Sequence, residues 1–423
     1  MTLLVLAALG ALALIGTPIF ALMGALALWL FHCEGIAPSA AIIALNRLAE
    51  MPSLIAVPLF TFAGYMLAES RSPRRMVALA EAALGWMPGG VAIGGLLACA
   101  LFTAFTGASG VTIIALGGLI YPLLRRQGYP ESFSMGLVTT TGSLGLLFPP
   151  SLPIILYALV SKVSVDKLFA ASAVPGLLLL VALAAYSVIV ARRNNVPRVP
   201  FSLRALGAAA RAAIWELPLP FLIIGGIYGG RFTASEAAAV MCFYVFIVEA
   251  LIYRDLSPRQ IPGIIVRSMV LVGAILIVLG TALGLTDYMI DAEIPSRLFE
   301  TLNTHIKTAW GFLALLNVFL LVVNMVEIFS AIIIVVPIIV PVAMRYHVDP
   351  VHLGALFLLN LELGYMTPPL GLNLFLSSRR FDRPLPDLYK ATLPFWLVLL
   401  GALALVTYVP DISLWLPRLL KLQ

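Results

Sequence analysis

Charge is scarce in this sequence. Of 423 residues, 11% are charged and 61% are hydrophobic. Mean hydropathy is +1.05. That balance excludes a soluble domain of this length and gives a polytopic membrane protein. Cysteine is scarce too. Cys33, Cys99 and Cys242 lie far apart with no C-x-x-C pair, so no disulfide framework exists. Each is expected to be a small core residue. Of the four histidines, His347 and His352 are five apart, a spacing that suits one helix face poorly and argues against a metal role. No G-x-x-x-x-G-K-[ST] is present, so the chain carries no ATP-binding P-loop of its own. H-E-x-x-H and G-x-S-x-G are absent as well. The first apolar run has no basic segment before it and continues past residue 25. It reads as a first membrane span, not a removed signal peptide. The net charge of +6 comes from Lys and Arg in short loops. It is a topology signal rather than a nucleic-acid footprint.

What is present is a six-residue pattern that occurs twice. Gly145-Leu146-Leu147-Phe148-Pro149-Pro150 reappears as Gly364-Tyr365-Met366-Thr367-Pro368-Pro369, 219 residues later. Pro175 and Pro394 follow the two copies at equal distance. Paired prolines delete two backbone donors and break a helix. In hydrocarbon such a break is tolerated only where it is buried in protein or lines a wet cavity. Breaks in corresponding halves of a membrane protein point to the substrate and ion site of a transporter.

Apolar segments of about 20 residues can span a bilayer. They fall near 2–30, 52–70, 170–192, 213–230, 234–253, 263–285 and 390–409, with interrupted spans at 133–160 and 352–377. Two further stretches, 88–124 and 309–344, are broken midway by small or polar residues. The first interruption is Thr106-Gly107-Ala108-Ser109-Gly110; the second is Asn324-Met325-Val326-Glu327 with Ser330. Helical hairpins that enter and leave on one side fit this pattern. Arg71, Arg74 and Arg75 precede the first hairpin, and Arg125 and Arg126 follow it. Placing both loops inside also puts Arg192, Arg193, Arg254, Arg259, Arg267, Arg379, Arg380 and Arg383 inside. Asp287, Asp291 and Glu293 then fall outside. The second hairpin enters from the opposite side, as an inverted repeat requires. The polar connection 193–214 carries Pro197, Pro200 and an amphipathic run from Ser202. It reads as a membrane-surface helix joining the halves.

At each break, carbonyls before the prolines lose their donors. Freed carbonyls and hydroxyls suit a hard cation, and half-helix N-termini suit a carboxylate. Ser109 and Thr112 lie at the first tip. Thr139, Thr140, Thr141 and Ser143 precede the first break and Ser151 follows it. Thr367 lies in the second break and Asn373 beyond it. The competing explanation is that these side chains satisfy their own helix carbonyls. Glu327 is an intramembrane acid, able to hold the cation, carry a proton or cap a half-helix. Glu362 precedes the second break by six residues, as a ligand or as a hydrogen-bond partner of the broken helix. Thr233-Ala234-Ser235-Glu236 has capping-box spacing, so Glu236 is assigned to structure.

These motifs resemble the large membrane subunit, M or DctM-type, of the tripartite ATP-independent periplasmic (TRAP) transporters. The resemblance rests on Gly107–Thr112, Gly142–Ser151, Lys167–Ala170, Pro175-Gly176, Gly225–Ala239, Pro337–Pro341 and Leu361–Asn373. It implies an all-α polytopic membrane protein of the bacterial inner membrane. That fold is an inverted repeat with two re-entrant helical hairpins and two broken transmembrane helices. It also implies an elevator-type, sodium-coupled importer of small organic anions. A small four-helix Q subunit and a periplasmic substrate-binding protein are the implied partners. Carried over, the sodium positions are Ser109, Gly110, Gly142, Ser143, Gly145, Asn324, Glu327, Gly364, Thr367 and Pro368. Thr112, Thr141, Ser151, Ser330 and Asn373 are the expected substrate-binding side chains. Pro149, Pro150, Pro368 and Pro369 form the breaks. The chain departs from the family's usual pattern at Ala108, where a serine is common. It also departs in 324–328, where a Gly and an Asp are more usual.

The expected organisation is a scaffold of 1–75 and 215–300, a transport unit of 76–192 and 301–423, and a connecting arm at 193–214. No cofactor is expected beyond sodium as the coupling ion. The alternative is a proton-coupled organic-acid carrier using Glu327. An integral membrane enzyme would need Asp-rich or His-rich motifs at a membrane face, which are not found.

Overall fold

The computed structural model describes every residue except 1, 38, 324–327, 370 and 423. Among the described residues every regular element is a helix. Among the described residues six helices are long and apolar enough to cross a membrane: Pro52–Glu69, Val165–Arg193, Ala234–Ile252, Ile261–Asp291, Ile328–Arg345 and Leu385–Tyr408. Two bent helix pairs raise that number to as many as eight.

Two expected spans change. The 2–30 segment is two helices, Thr2–Leu14 and Ile19–Cys33. Gly16 turns the chain with φ +91°, and Pro18 has no N–H to continue a helix. The 213–230 segment is helical only over Pro218–Tyr228. Four short helices were not expected from the apolar runs: Ser39–Ala49, Ser72–Leu84, Ile294–His305 and Asp411–Leu419. Ser72–Leu84 and Ile294–His305 each begin with a proline in the first turn and precede Gly90–Thr106 and Ala309–Val323. Helix Ile294–His305 meets Ala309–Val323 at a bend of 114°. The cysteine expectation holds at Cys99, which is buried. It fails at Cys33, which is exposed, while Cys242 is half-buried; all three are free thiols.

The two halves repeat in element order. Ser109–Ala115 starts 219 residues before Ile328–Arg345, and Glu131–Leu144 starts 219 before Pro350–Gly364. The left-handed turn residues Gly128 and His347 keep that offset, and Lys162 and Asp382 are 220 apart. Both Pro-Pro peptide bonds are cis. The first hairpin is Gly90–Thr106, Ser109–Ala115 and Gly117–Arg126. Thr103 Oγ1 lies 2.8 Å from Thr112 Oγ1, and Gly95 faces Ile120. Both pairs are centred between Gly107 and Ala108, so the arms run antiparallel. Gly107 makes the reversal with φ +65°.

The first broken helix runs Glu131–Leu144, a 3₁₀ turn at Gly145–Leu147, then Leu152–Ser161, with a bend of 44°. The second runs Pro350–Gly364 and resumes at Leu372–Phe381. Every residue from Phe133 to Leu147 is buried. A Cβ on Gly145 would collide with backbone atoms of Ala100 and Ala104, so glycine lets the first break press against the hairpin arm.

Arg75 does more than mark a basic loop. Its guanidinium donates to Glu216, to Asp255 Oδ2 at 2.6 Å and to both oxygens of Glu249 at 3.0 and 3.1 Å. Tyr253 lies under it, 3.9 Å from ring centroid to Cζ. Burial works against the charge. The bond to Asp255 and the charges of Glu249 and Glu216 outweigh that and hold the guanidinium above its ordinary value. The cluster ties helix Ser72–Leu84 to the ends of Pro218–Tyr228 and Ala234–Ile252. The connecting segment contains the helix Leu203–Ala212, capped by Ser202 accepting from Ala205 N at 3.3 Å. Leu203 stays exposed on it. Thr233 and Glu236 make the expected reciprocal capping box.

Candidate functional site

Three of the four interrupted apolar segments, 88–124, 309–344 and 352–377, come together around a cavity of about 700 Å³. The first tip contributes Gly107 to Val111. Phe329 and Ser330 come from the first turn of Ile328–Arg345. Tyr365 and Leu372 flank the second break. The opposite wall is the mid-section of Ile261–Asp291, from Leu271 to Val278, with Tyr65. Elements of both repeats therefore face helices outside the hairpins and broken helices. No Lys, Arg, Asp or Glu lies among the described lining residues.

Of the residues singled out by sequence, Ser109, Gly110 and Ser330 line this cavity. Gly142, Ser143 and Gly145 lie behind the first tip, fully buried. Gly142 O is 2.9 Å from Thr103 Oγ1, and its Cα packs against Ile113. Thr112 is buried against Thr103. Asn324 and Glu327 lie outside the described residues. Ser151 is buried away from the cavity, and its Oγ has no partner. Pro149 and Pro150 are buried while Pro368 and Pro369 are exposed, so the two breaks differ in surroundings.

Several hydroxyls do bond to their own helices, as the competing explanation requires. Thr139 donates to Met135 O at 2.8 Å and Thr367 to Leu363 O at 2.8 Å. Thr367 Oγ1 also accepts from Trp396 Nε1 at 3.1 Å, which pins the second break. Ser143 and Thr141 reach their own carbonyls only at 3.4 and 3.5 Å. These are weak bonds that leave the hydroxyls available.

Asn373 joins the two breaks. Its Nδ2 donates to Thr139 O at 3.1 Å and to Ser143 Oγ at 2.8 Å. Ser377, one turn on, lies 2.8 Å from Thr139 Oγ1. Glu362 is 1% exposed and neighbours Ser143, yet neither carboxyl oxygen is in hydrogen-bonding geometry. Asn373 Oδ1 and Thr140 Oγ1 are also buried without partners. Buried polar atoms normally have partners. A surplus of oxygen acceptors is the donor set that a hard cation takes. Among the described residues no group of three His, Cys, Asp or Glu side chains could hold a transition metal. His352 instead pairs its Nδ1 with Ser413 Oγ at 2.7 Å.

A family model described as "Tripartite ATP-independent periplasmic transporter, DctM component" matches residues 3–412. The chain belongs to this family. It is a TRAP transporter permease, a multi-pass protein of the bacterial inner membrane and not an enzyme. It is 38% identical over 404 residues to a C4-dicarboxylate TRAP transporter large permease protein of Pseudomonas aeruginosa, covering 95% of this chain and 94% of that one. It is 32% identical to an isethionate TRAP transporter permease protein DctMQ of Oleidesulfovibrio alaskensis, covering 95% of this chain and 64% of that one. The fold is similar to that of the YdaH transporter of Alcanivorax borkumensis. The TM-score is 0.62 at 13% identity, over 89% of this chain and 88% of that one.

Proposed function

We propose that this TRAP permease imports a small organic anion together with sodium, by elevator-type alternating access. The observation that carries this reading is the cavity where the first hairpin tip, the second hairpin and the second break face Ile261–Asp291. A substrate bound there touches parts that move and parts that stay. We assign 76–192 and 301–423 to the moving unit, 1–75 and 215–300 to the scaffold, and 193–214 to the connecting arm. The hairpins are then re-entrant and the halves inverted, in line with the basic loops.

The cavity lining supplies no cationic side chain among the described residues. Hydroxyls, backbone N–H groups and co-transported sodium therefore match the anion's charge. Ser109 and Ser330 face the substrate from the two repeats. Of the other substrate positions expected from the sequence, Thr112, Thr141, Ser151 and Asn373 are buried and do not line the cavity. Sodium is assigned to Ser109, Gly110, Gly142, Ser143 and Gly145 in one half. In the other it is assigned to Gly364, Thr367, Pro368 and the 324–327 tip. A cation that binds first raises the affinity for the anion, and the anion raises that for the cation by the same factor. The relatives' names, a C4-dicarboxylate and isethionate, support an anionic substrate. The tripartite family name and the DctMQ relative support a Q-type membrane subunit and a periplasmic binding protein as partners.

The test is uptake into proteoliposomes holding the permease, its Q-type subunit and its binding protein. Organic acids are first screened by their stabilisation of the binding protein. An inward sodium gradient is expected to drive accumulation of the selected acid. Equal uptake under a proton gradient without sodium would sink the sodium reading and favour the proton-coupled one.

A further inference from the structure

Ser143 and Glu362 stand 219 residues apart, the offset of the internal repeat, so they are counterparts in the two halves. They also touch. The contact lies where the first broken helix crosses the second, beside Asn373. Three side chains that are 0 to 1% exposed thus meet inside the protein.

Their hydrogen-bond accounting does not balance. Asn373 spends Nδ2 on Ser143 Oγ and Thr139 O, which leaves Oδ1 unpartnered on the same amide. Ser143 donates only weakly, to Thr140 O at 3.4 Å. Both Glu362 oxygens are unpartnered. Among the described residues no charged side chain acts on Glu362. The elements packed on its helix carry Asp166, Lys167, Arg192, Arg193, Arg345, Asp387, Lys390, Asp411 and Arg418, and none of these acts on it. An uncompensated carboxylate inside a protein is strongly unfavourable. One proton would satisfy one of these acceptors. A hard cation with oxygen ligands collects all of them.

We propose that Glu362 is a sodium ligand, sharing one ion with Ser143 Oγ and Asn373 Oδ1 at the crossing of the two broken helices. The site rests on the sodium-coupled reading above and adds to it a full negative charge. A neutral hydroxyl-and-carbonyl site binds sodium by dipoles alone, whereas this one requires the ion to neutralise a buried charge. The ion also bridges the two repeats, so both broken helices close around it together.

The test is sodium binding to the full-length permease, counted with radioactive sodium, beside thermal stability with choline replacing sodium at equal ionic strength. The wild type is expected to gain stability with sodium. Glu362→Gln is expected to bind one sodium fewer per permease, or to bind its weakest ion about tenfold or more weakly. It is also expected to be more stable than the wild type in choline, because the uncompensated charge is gone. Glu362→Asp keeps the charge on a shorter arm. It retains the ion count at lower affinity and decides the matter if the Gln variant does not fold. Unchanged sodium number and affinity in Glu362→Gln would overturn the assignment while leaving sodium coupling intact. A wild type that binds no sodium, with stability following pH alone, would overturn both.

Discussion

Asn373 Nδ2 donates to Ser143 Oγ at 2.8 Å, a bond that spans 230 residues of sequence. The same nitrogen donates to Thr139 O. Asn373→Ala removes both of these buried bonds, and with them a tie between the two broken helices. The expected loss is about 1–3 kcal/mol, read as a lower melting temperature of the purified permease. Asn373→Asp is expected to be worse, because it replaces the donor with a second charge beside Glu362.

Gly145 has no room for a side chain against Ala100 and Ala104. Gly145→Ala is expected to push the first break off the hairpin and to destabilise by about 1–3 kcal/mol. Gly401 is the control. Nothing lies within 4 Å of a Cβ there, so Gly401→Ala is expected to leave stability unchanged or raised. Equal behaviour of the two variants in a thermal unfolding series would refute the close-approach argument.

Arg75 is 12% exposed and contacts three carboxylates that are 0 to 6% exposed. Arg75→Gln strands those charges and is expected to cost about 3–5 kcal/mol. Adding Glu249→Gln to Arg75→Gln is expected to recover part of the loss, since it removes one stranded charge. Additive losses in the double variant would show that the cluster is not the cause.

Much of this fold was legible in the sequence, for identifiable reasons. The two Pro-Pro pairs announced the broken helices because proline's missing donor acts locally. Gly107-Ala108 announced the first hairpin turn because each arm is too short to cross comfortably. Helices Ser72–Leu84 and Ile294–His305 were not legible in the same way, since a search for apolar runs passes over amphipathic segments. The break after residue 14 was missed because Gly16 and Pro18 sit inside an otherwise continuous apolar run. The candidate site was legible only from one side. Ser109, Gly110 and Ser330 stood out as polar residues at interruptions. Tyr65 and Leu271 to Val278, which form the facing wall, are ordinary apolar or aromatic residues of ordinary spans. The meeting of Ser143 with Glu362 was latent in the 219-residue offset. The two residues differ in chemistry, so the pairing showed only once the repeats were folded together.

Alternating access requires the cavity to open to each side of the membrane in turn. Val111 lines it and is half-buried. The decisive measurement is labelling of Val111→Cys with an impermeant thiol reagent, after Cys33 and Cys242 have been replaced and buried Cys99 retained. Reagent is applied to right-side-out and inside-out vesicles, with sodium and substrate present or absent. A two-state equilibrium shifted by its ligands predicts labelling from both faces, with sodium and substrate changing the two rates in opposite directions. Labelling from a single face under every condition would contradict alternating access through this cavity.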